Sequence, residues 1–396
     1  MSATQQDPQQ DPQQDPRRVL AVRLDSDGDV LMTGPAIAAL RCGPRGTEVE
    51  QLDLLAAPGG AGAARLLPGI DEVLVADVPW SGYQPPAPDA EALTALVEQL
   101  RQRSYDEVVV FTSFHQSPLP MALIARLAGV PRVIAASDDY PGSLLDLRHK
   151  RPGNPDGTGG EHEVIASLGL VAASGRAIPD DPRMALRRPL PEVPAWLLER
   201  GPSAATGQGA GQQGALVVVH PGASVPARAA RPDVVARATR ALVEAGHHVV
   251  VTGGPGEVEL TGRVAAAAPG AVDSGGRTSL AELAALLDAA DVVVVGNTGP
   301  AHLAAAVGTP VASLFSAVMP VERWAPFGVP VVILGDLDAP CRLTRAQRCP
   351  VGDGTAHPCL DVSPQAVVAA VADLASGRVP VPAPARPIRV EAGQAL

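Results

Sequence analysis

Chemistry in this chain is concentrated at three turns of one design. In each, an apolar run ends, small residues follow and a helical pattern begins. One of them opens the segment GNTGPAHLAAAVGTP, from Gly296 to Pro310. There Thr298 offers a hydroxyl, Gly299 offers a bare backbone, and Pro300 fits a first helical turn, where a missing N–H costs nothing. A helix start of this kind carries unpaired N–H groups and partial positive charge, which suits a diphosphate. Asn297 belongs to the same turn. His302 lies in the first helical turn and can donate to a phosphate oxygen; the plainer alternative is a capped helix with a surface histidine. The turn GGPGE, residues 253–257, has Gly254 at its bend. Its Glu257 sits where a carboxylate can accept from ribose hydroxyls, or where it merely complements a helix start. The turn HPGAS, residues 220–224, is followed by Arg228 and Arg231. Ser224 and the two arginines can hold a pyrophosphate, although an isolated arginine is usually a solvated surface residue.

The fourth candidate lies near the start of the chain. Asp25, Asp27 and Asp29 crowd one turn, with Ser26 and Gly28 between them, just ahead of a helical pattern. A carboxylate there can take a proton from an acceptor hydroxyl, or it can simply cap the helix. Like-charged neighbours raise its pKa and the helix start lowers it, so the sequence leaves the balance open. Late in the chain, Cys341, Cys349, His357 and Cys359 have the spacing C-x7-C-x7-H-x-C. Structural zinc sites use closer cysteine pairs, so free thiols in a structured loop are expected, with a metal or a disulfide as alternatives. Walker, G-x-S-x-G and H-E-x-x-H motifs are absent. So is the G-x-G-x-x-G fingerprint, which weighs against a dehydrogenase.

These turns need elements to hold them. A strand is expected over residues 19–24 and then a helix to residue 40, the opening of a Rossmann-like unit. Further strands are expected at 49–55, 72–75, 107–112 and 131–135, with helices at 90–102, 120–128 and 161–170. A second series has strands at 215–219, 248–252, 291–295 and 310–315. Its helices are expected at about 232–245, after 257, at 279–289, from 301 and at 363–374. Alternation of this kind implies mostly parallel sheets covered on both faces, hence an α/β fold. Residues 201–214, GPSAATGQGAGQQG, have the composition of a flexible linker. The expected division is a disordered tail at 1–17, built on QQDP repeated three times, and domains at 18–200 and 215–378. A Pro-rich tail follows at 379–396.

Composition sets the class. With 396 residues, 46% of them apolar, the chain is too long for one ordinary core, and two domains are the natural expectation. The formal net charge of −11 argues against a nucleic-acid partner, which calls for a basic field. No run approaches the ~20 apolar residues needed to span a bilayer, and the start of the chain has no signal-peptide pattern. A cytoplasmic location is expected, with an acceptor at a membrane surface still within reach. In a reducing compartment the four cysteines default to thiols.

Taken in order, these segments resemble glycosyltransferase family 9, the bacterial heptosyltransferase family, over about residues 18–375. RVLAVRLDSDGDVLMTGPAIAALR is similar to that family's opening strand, Gly-Asp turn and helix. FTSFHQSPLPMALIARLAGVPRVIAAS is similar to its mid-domain segment. HPGAS, TGGPGE and GNTGPAHLAAAVGTPVASLF are similar to its nucleotide-binding turns, and HPCLDVSPQAVVAAV to a C-terminal segment. The resemblance implies the GT-B fold, two Rossmann-like domains facing across a cleft, with no catalytic metal and no cofactor. It implies an ADP-heptose-like donor on the C-terminal domain, a glycan or glycolipid acceptor on the N-terminal domain, and inversion at the anomeric carbon. By motif position Asp29 matches the family's catalytic base. Ser224, Glu257, Thr298, Gly299 and His302 match donor positions, with Gly254 and Asn297 in the same turns. Arg228 and Arg231 compete for one phosphate-binding position, and Ser26, Gly28 and His115 fall on the acceptor side. Two residues depart from the family pattern. Asp27 stands where an apolar or small residue is usual, and Asn297 where some members have Asp. A GT-B sugar-nucleotide epimerase and a non-catalytic nucleotide-sugar-binding protein are the alternatives.

Overall fold

The structure is a computed structural model. It describes residues 16–82, 84–153, 158–199, 214–351 and 354–382. The tail expected at 1–17 and the linker expected at 201–214 lie almost wholly outside the described residues, as does most of the Pro-rich tail.

The first half builds six strands: β1 (Arg18–Arg23), β2 (Gln51–Ala56), β3 (Val73–Val75), β4 (Glu107–Phe111), β5 (Arg132–Ala136) and β6 (Leu147–His149). They form one sheet in the order β3-β2-β1-β4-β5-β6. All neighbours are parallel, with Val19 level with Leu52 on one side and with Glu107 on the other. The second half repeats the plan. Strands β7 (Leu216–His220), β8 (His248–Val251), β9 (Val272–Asp273), β10 (Val292–Gly296), β11 (Val311–Leu314) and β12 (Val331–Leu334) form a second sheet. Its order is β12-β11-β10-β7-β8-β9, again parallel throughout. Counted within each half, both orders are 3-2-1-4-5-6, the doubly wound Rossmann arrangement. Central strands are buried on both faces, which is why β4 and β10 read as unbroken valine runs rather than alternating ones.

The helices of the first half are α1 (Asp27–Ala39), α2 (Ala61–Leu66), α3 (Ala90–Arg103), α4 (Leu119–Leu127), α5 (Glu163–Ala173) and α6 (Ala195–Leu198). Those of the second are α7 (Pro232–Glu244), α8 (Val258–Ala266), α9 (Leu280–Ala289), α10 (Gly299–Val307), α11 (Val321–Trp324) and α12 (Pro364–Ala375). Their starts are specified locally. Asp89 accepts from the N–H groups of Glu91 and Ala92 at α3, and Ser279 with Glu282 forms a reciprocal capping box at α9. No helix of the described residues is long and apolar enough to cross a membrane.

The expected strands and helices form within a few residues of their predicted ends. Three strands are unanticipated: β6, β9 and β12. All lie at sheet edges, and β6 and β9 have three and two residues, too few for a periodic signal. Short α2, α6 and α11 are also unanticipated, each formed against tertiary contacts rather than by propensity.

The halves meet through helices. α1 packs against α5 in its own half and against α10 of the other, and α2 packs against α9. Glycine permits the first contact. A Cβ on Gly28 would stand 2.9 Å from His302 Cδ2 and 3.2 Å from Gly299 Cα. A second contact is made by α11 and the residues that follow it. His162 Nε2 lies 2.8 Å from the Ala325 carbonyl, Glu163 lies 3.6 Å from Arg323, and the Arg323 guanidinium lies 4.5 Å above the Phe114 ring.

Candidate active site

β1 ends where the chemistry begins. Its last residue, Arg23, is 1% exposed and points its guanidinium into the turn that follows. Nε stands 3.0 Å from Asp25 Oδ2, and Nη2 stands 3.2 Å from Asp29 Oδ1 while donating to Ser113 Oγ at 2.9 Å. The Ser26 hydroxyl donates to the other Asp29 oxygen at 2.9 Å. The three crowded aspartates therefore have three different fates. For Asp29, burial raises the pKa, but Arg23, the Ser26 hydroxyl, His302 and Arg228 outweigh it, and the carboxyl lies below its ordinary value. For Asp25, burial dominates and the Asp29 charge adds to it. Arg23, Gln116 and Ser81 do not compensate, and its pKa is raised. Asp27 turns away and accepts from the Ala63 N–H at 2.8 Å, holding the first turn of α2; burial raises its pKa. Its departure from the family pattern thus has a structural account. The sequence left open which influence prevails at Asp29. The deciding group is Arg23, which motif reading missed; the available signal was a charged residue closing an otherwise apolar buried strand.

Across the gap, β10 delivers the GNTGPAH turn. His302 is 3% exposed, not the surface histidine of the plainer alternative. Burial lowers its pKa to about 4 despite the nearby Asp29 charge, so the ring is neutral at pH 7. Asn297 Nδ2, Thr298 Oγ1, His302 Nδ1 and Arg228 Nε are all buried and have no hydrogen-bond partner among the described residues. Four such atoms on adjoining turns are free to meet polar groups from outside the chain. Among the described residues the Arg228 guanidinium donates to Met319 Sδ at 3.5 Å, and its charge reaches Asp29. Arg231 is not brought to this cluster. It pairs with Asp233 at 3.2 Å and Asp361 at 3.3 Å on the surface and donates to the Ala356 carbonyl. Of the two competing arginines, Arg228 is the one that lies beside Asp29 and His302.

The remaining candidates are more dispersed. Glu257 accepts from the Gly254 N–H at 2.7 Å and lies 3.6 Å from His220 Nε2. It packs so closely on the HPGAS turn that a Cβ on Gly222 would collide with its carboxylate. At 27% exposure it retains an open edge. Ser224 is exposed in the same turn, and His115 is exposed beside Phe114, ring centroids 5.2 Å apart. Cys341, Cys349 and Cys359 are buried free thiols. Among the described residues no three His, Cys, Asp or Glu side chains are grouped to hold a metal ion. A cavity of about 20 Å³, lined by Leu24, Asp25, Trp80, Ser81, Gln116 and Met121, adjoins Asp25. A larger one, about 560 Å³, lies on the α7–α8 surface beside Arg237, Arg240 and Arg263.

Two parallel Rossmann-like units with their strand ends and helix starts facing one another define a GT-B type fold. The sequence profile of glycosyltransferase family 9 (heptosyltransferase) matches residues 93–353, and the chain belongs to that family. Among solved structures it is similar to a family 9 glycosyl transferase from Veillonella parvula DSM 2008, at 16% identity and TM-score 0.67. That alignment covers 91% of this chain and 97% of the other. It is also similar to E. coli ADP-heptose LPS heptosyltransferase II (17%, TM-score 0.65, 91% and 99% covered). The E. coli heptosyltransferase WaaC with ADP is a third (18%, TM-score 0.60, 91% and 98% covered). No curated protein sequence matches the chain.

Proposed function

We propose that this glycosyltransferase moves heptose or a similar sugar from a nucleoside-diphosphate donor, ADP-linked, to a hydroxyl of a glycan or glycolipid acceptor, with inversion and without a metal. The observation that carries the reading is the pairing across the gap. An ionised Asp29 faces four buried polar atoms that have no hydrogen-bond partner among the described residues. The donor diphosphate lies against Thr298, Gly299 and the start of α10, with Arg228 supplying positive charge. Glu257, Gly254, Ser224 and Asn297 border the nucleoside side. The acceptor approaches from the first half, past Ser26, Gly28 and His115.

Asp29 removes the acceptor proton as the hydroxyl oxygen attacks the anomeric carbon. The bond to the diphosphate oxygen breaks on the opposite face, and the pair of electrons leaves with the nucleoside diphosphate. Helix start and guanidinium stabilise that departing charge without rearranging. Similarity to E. coli ADP-heptose LPS heptosyltransferase II supports the choice of donor and acceptor, and similarity to the E. coli heptosyltransferase WaaC with ADP supports the nucleotide. We place the reaction in the cytoplasm, at the inner face of the membrane where the acceptor is a glycolipid.

The test is incubation with a panel of sugar nucleotides and candidate acceptors, read by mass spectrometry, for the wild type and for Asp29→Ala. Transfer from an ADP-linked sugar, reduced by about 10²–10⁴ in the variant, is expected. Donor binding without turnover would identify a silent binding protein, and interconversion without acceptor an epimerase.

A further inference from the structure

We propose that Arg23 is the positioning residue of this site, a buried fork that aims the Asp29 carboxylate across the gap toward Arg228 and His302. The proposal rests on the reading of Asp29 as the base and adds to it a residue that the motif comparison does not reach. Three anchors fix the guanidinium. Asp25 Oδ2 lies 3.0 Å from Nε, an ion-pair contact without hydrogen-bond alignment, and Ser113 Oγ and Asp29 Oδ1 share Nη2 at 2.9 and 3.2 Å. Gln116 Nε2 in turn donates to Asp25 at 2.6 Å, so the fork is itself held from β4's loop. Asp29 then has each oxygen committed to a different donor, Oδ1 to Arg23 and Oδ2 to Ser26, which sets the plane of the carboxylate.

A planar guanidinium can serve two carboxylates and a hydroxyl at once, because its donors diverge in fixed directions. An ammonium is a point charge on a flexible stem and cannot reproduce that division. Burial makes the choice consequential. Arg23 is 1% and Asp25 9% exposed. Without the guanidinium, two carboxylates would face each other in a dry turn and share a proton. The groups facing Asp29 are Arg23 from β1, Asp25 from the turn, His115 from the loop after β4, and His302 and Arg228 from the second half. Of these, His302 is neutral at pH 7 and Arg228 belongs to the opposing half, so within its own half Arg23 alone supplies full positive charge.

The test titrates Asp29 directly by the carboxyl ¹³C resonance of aspartate-labelled protein, assigned with Asp29→Asn, in the wild type, Arg23→Lys and Arg23→Met. Wild-type Asp29 is expected to titrate below the ordinary carboxylate range, Arg23→Met above it, and Arg23→Lys between the two. With the donor found in the panel, kcat of Arg23→Lys falls on the order of 100-fold while KM is little changed, as for a misaligned group. A role confined to stability would lower the melting temperature and leave the titration where it was; that result overturns the proposal. Arg23→Lys keeps the charge, so the test survives if Arg23→Met does not fold. If Asp29→Ala keeps full transfer while the Arg23 variants shift the titration, the base assignment fails and the positioning role stands. If Asp29→Ala abolishes transfer and neither Arg23 variant shifts the titration, the reverse holds.

Discussion

Gly28→Ala is the sharpest perturbation of the gap. The added methyl carbon would stand 2.9 Å from His302 Cδ2 and 3.2 Å from Gly299 Cα, short of the 3.4 Å at which ordinary contact begins. The ring can rotate away, but Gly299 is backbone, so α1 and α10 must separate by a few tenths of an ångström. Overpacking of this kind costs about 1–3 kcal/mol. Against it stands the gain from replacing glycine near a helix start, up to about 1 kcal/mol. Gly28 does not have a left-handed φ, so no backbone strain is added. The net loss of stability is therefore between about 0 and 3 kcal/mol. Catalysis is expected to suffer as well, because the shift separates Asp29 from the opposing turn; a displacement near 1 Å can cost ~10²-fold, so a smaller loss of kcat is expected here. The assay pairs thermal unfolding with transfer kinetics. A variant with unchanged kcat would show that the contact between the two helix starts does not set the reacting geometry, and the reasoning would fall.

Other outcomes follow from the same geometry. Thr298→Val removes a buried hydroxyl that has no hydrogen-bond partner among the described residues, so stability should hold or rise while ADP affinity, measured by calorimetry, falls by about 0.5–1.5 kcal/mol. Arg228→Ala should weaken ADP binding by about 1.5–3 kcal/mol, whereas Arg231→Ala, which breaks only surface pairs, should leave it unchanged and cost under ~1 kcal/mol of stability. Asp27→Ala loses the bond to the Ala63 N–H and should destabilise the fold by about 1–3 kcal/mol. For His302 the folded pKa, about 4, lies below its ordinary value of 6.5. The unfolded chain therefore binds more protons between those values, and stability should decline as pH falls through that window. His302→Gln should flatten that decline in unfolding curves taken across the range.

The architecture was legible because its signals are local and redundant. Valine runs such as Val292–Gly296, each followed by small residues and a helix start, announce a parallel sheet without knowledge of its partners. The small-residue turns at the strand ends were legible for the same reason, since glycine, threonine and proline at those spacings leave few other conformations. What could not be read was who meets whom. Arg23 lies six residues before Asp29 and looks like the end of a strand; its role depends on Ser113, ninety positions away. The choice between Arg228 and Arg231 depends on Asp361, far down the chain. Edge strand Val331–Leu334 carries a β-branched signal between Pro330 and Gly335, but it is brief and half-buried, and pairing with Val311–Leu314 is what makes it a strand. Burial of His302 likewise comes from the other half of the molecule, through Gly28.

The meeting of α1 and α10 at Gly28 and Gly299 has a consequence for turnover. Two peptide dipoles oppose each other there with like poles, an arrangement that an anion between or beside them relieves. The nucleoside diphosphate left after transfer carries at least as much negative charge as the sugar nucleotide that entered. On the proposed reaction, the poles that draw the donor in also hold the nucleoside diphosphate left after transfer, so its release is expected to compete with chemistry as the slow event in each cycle.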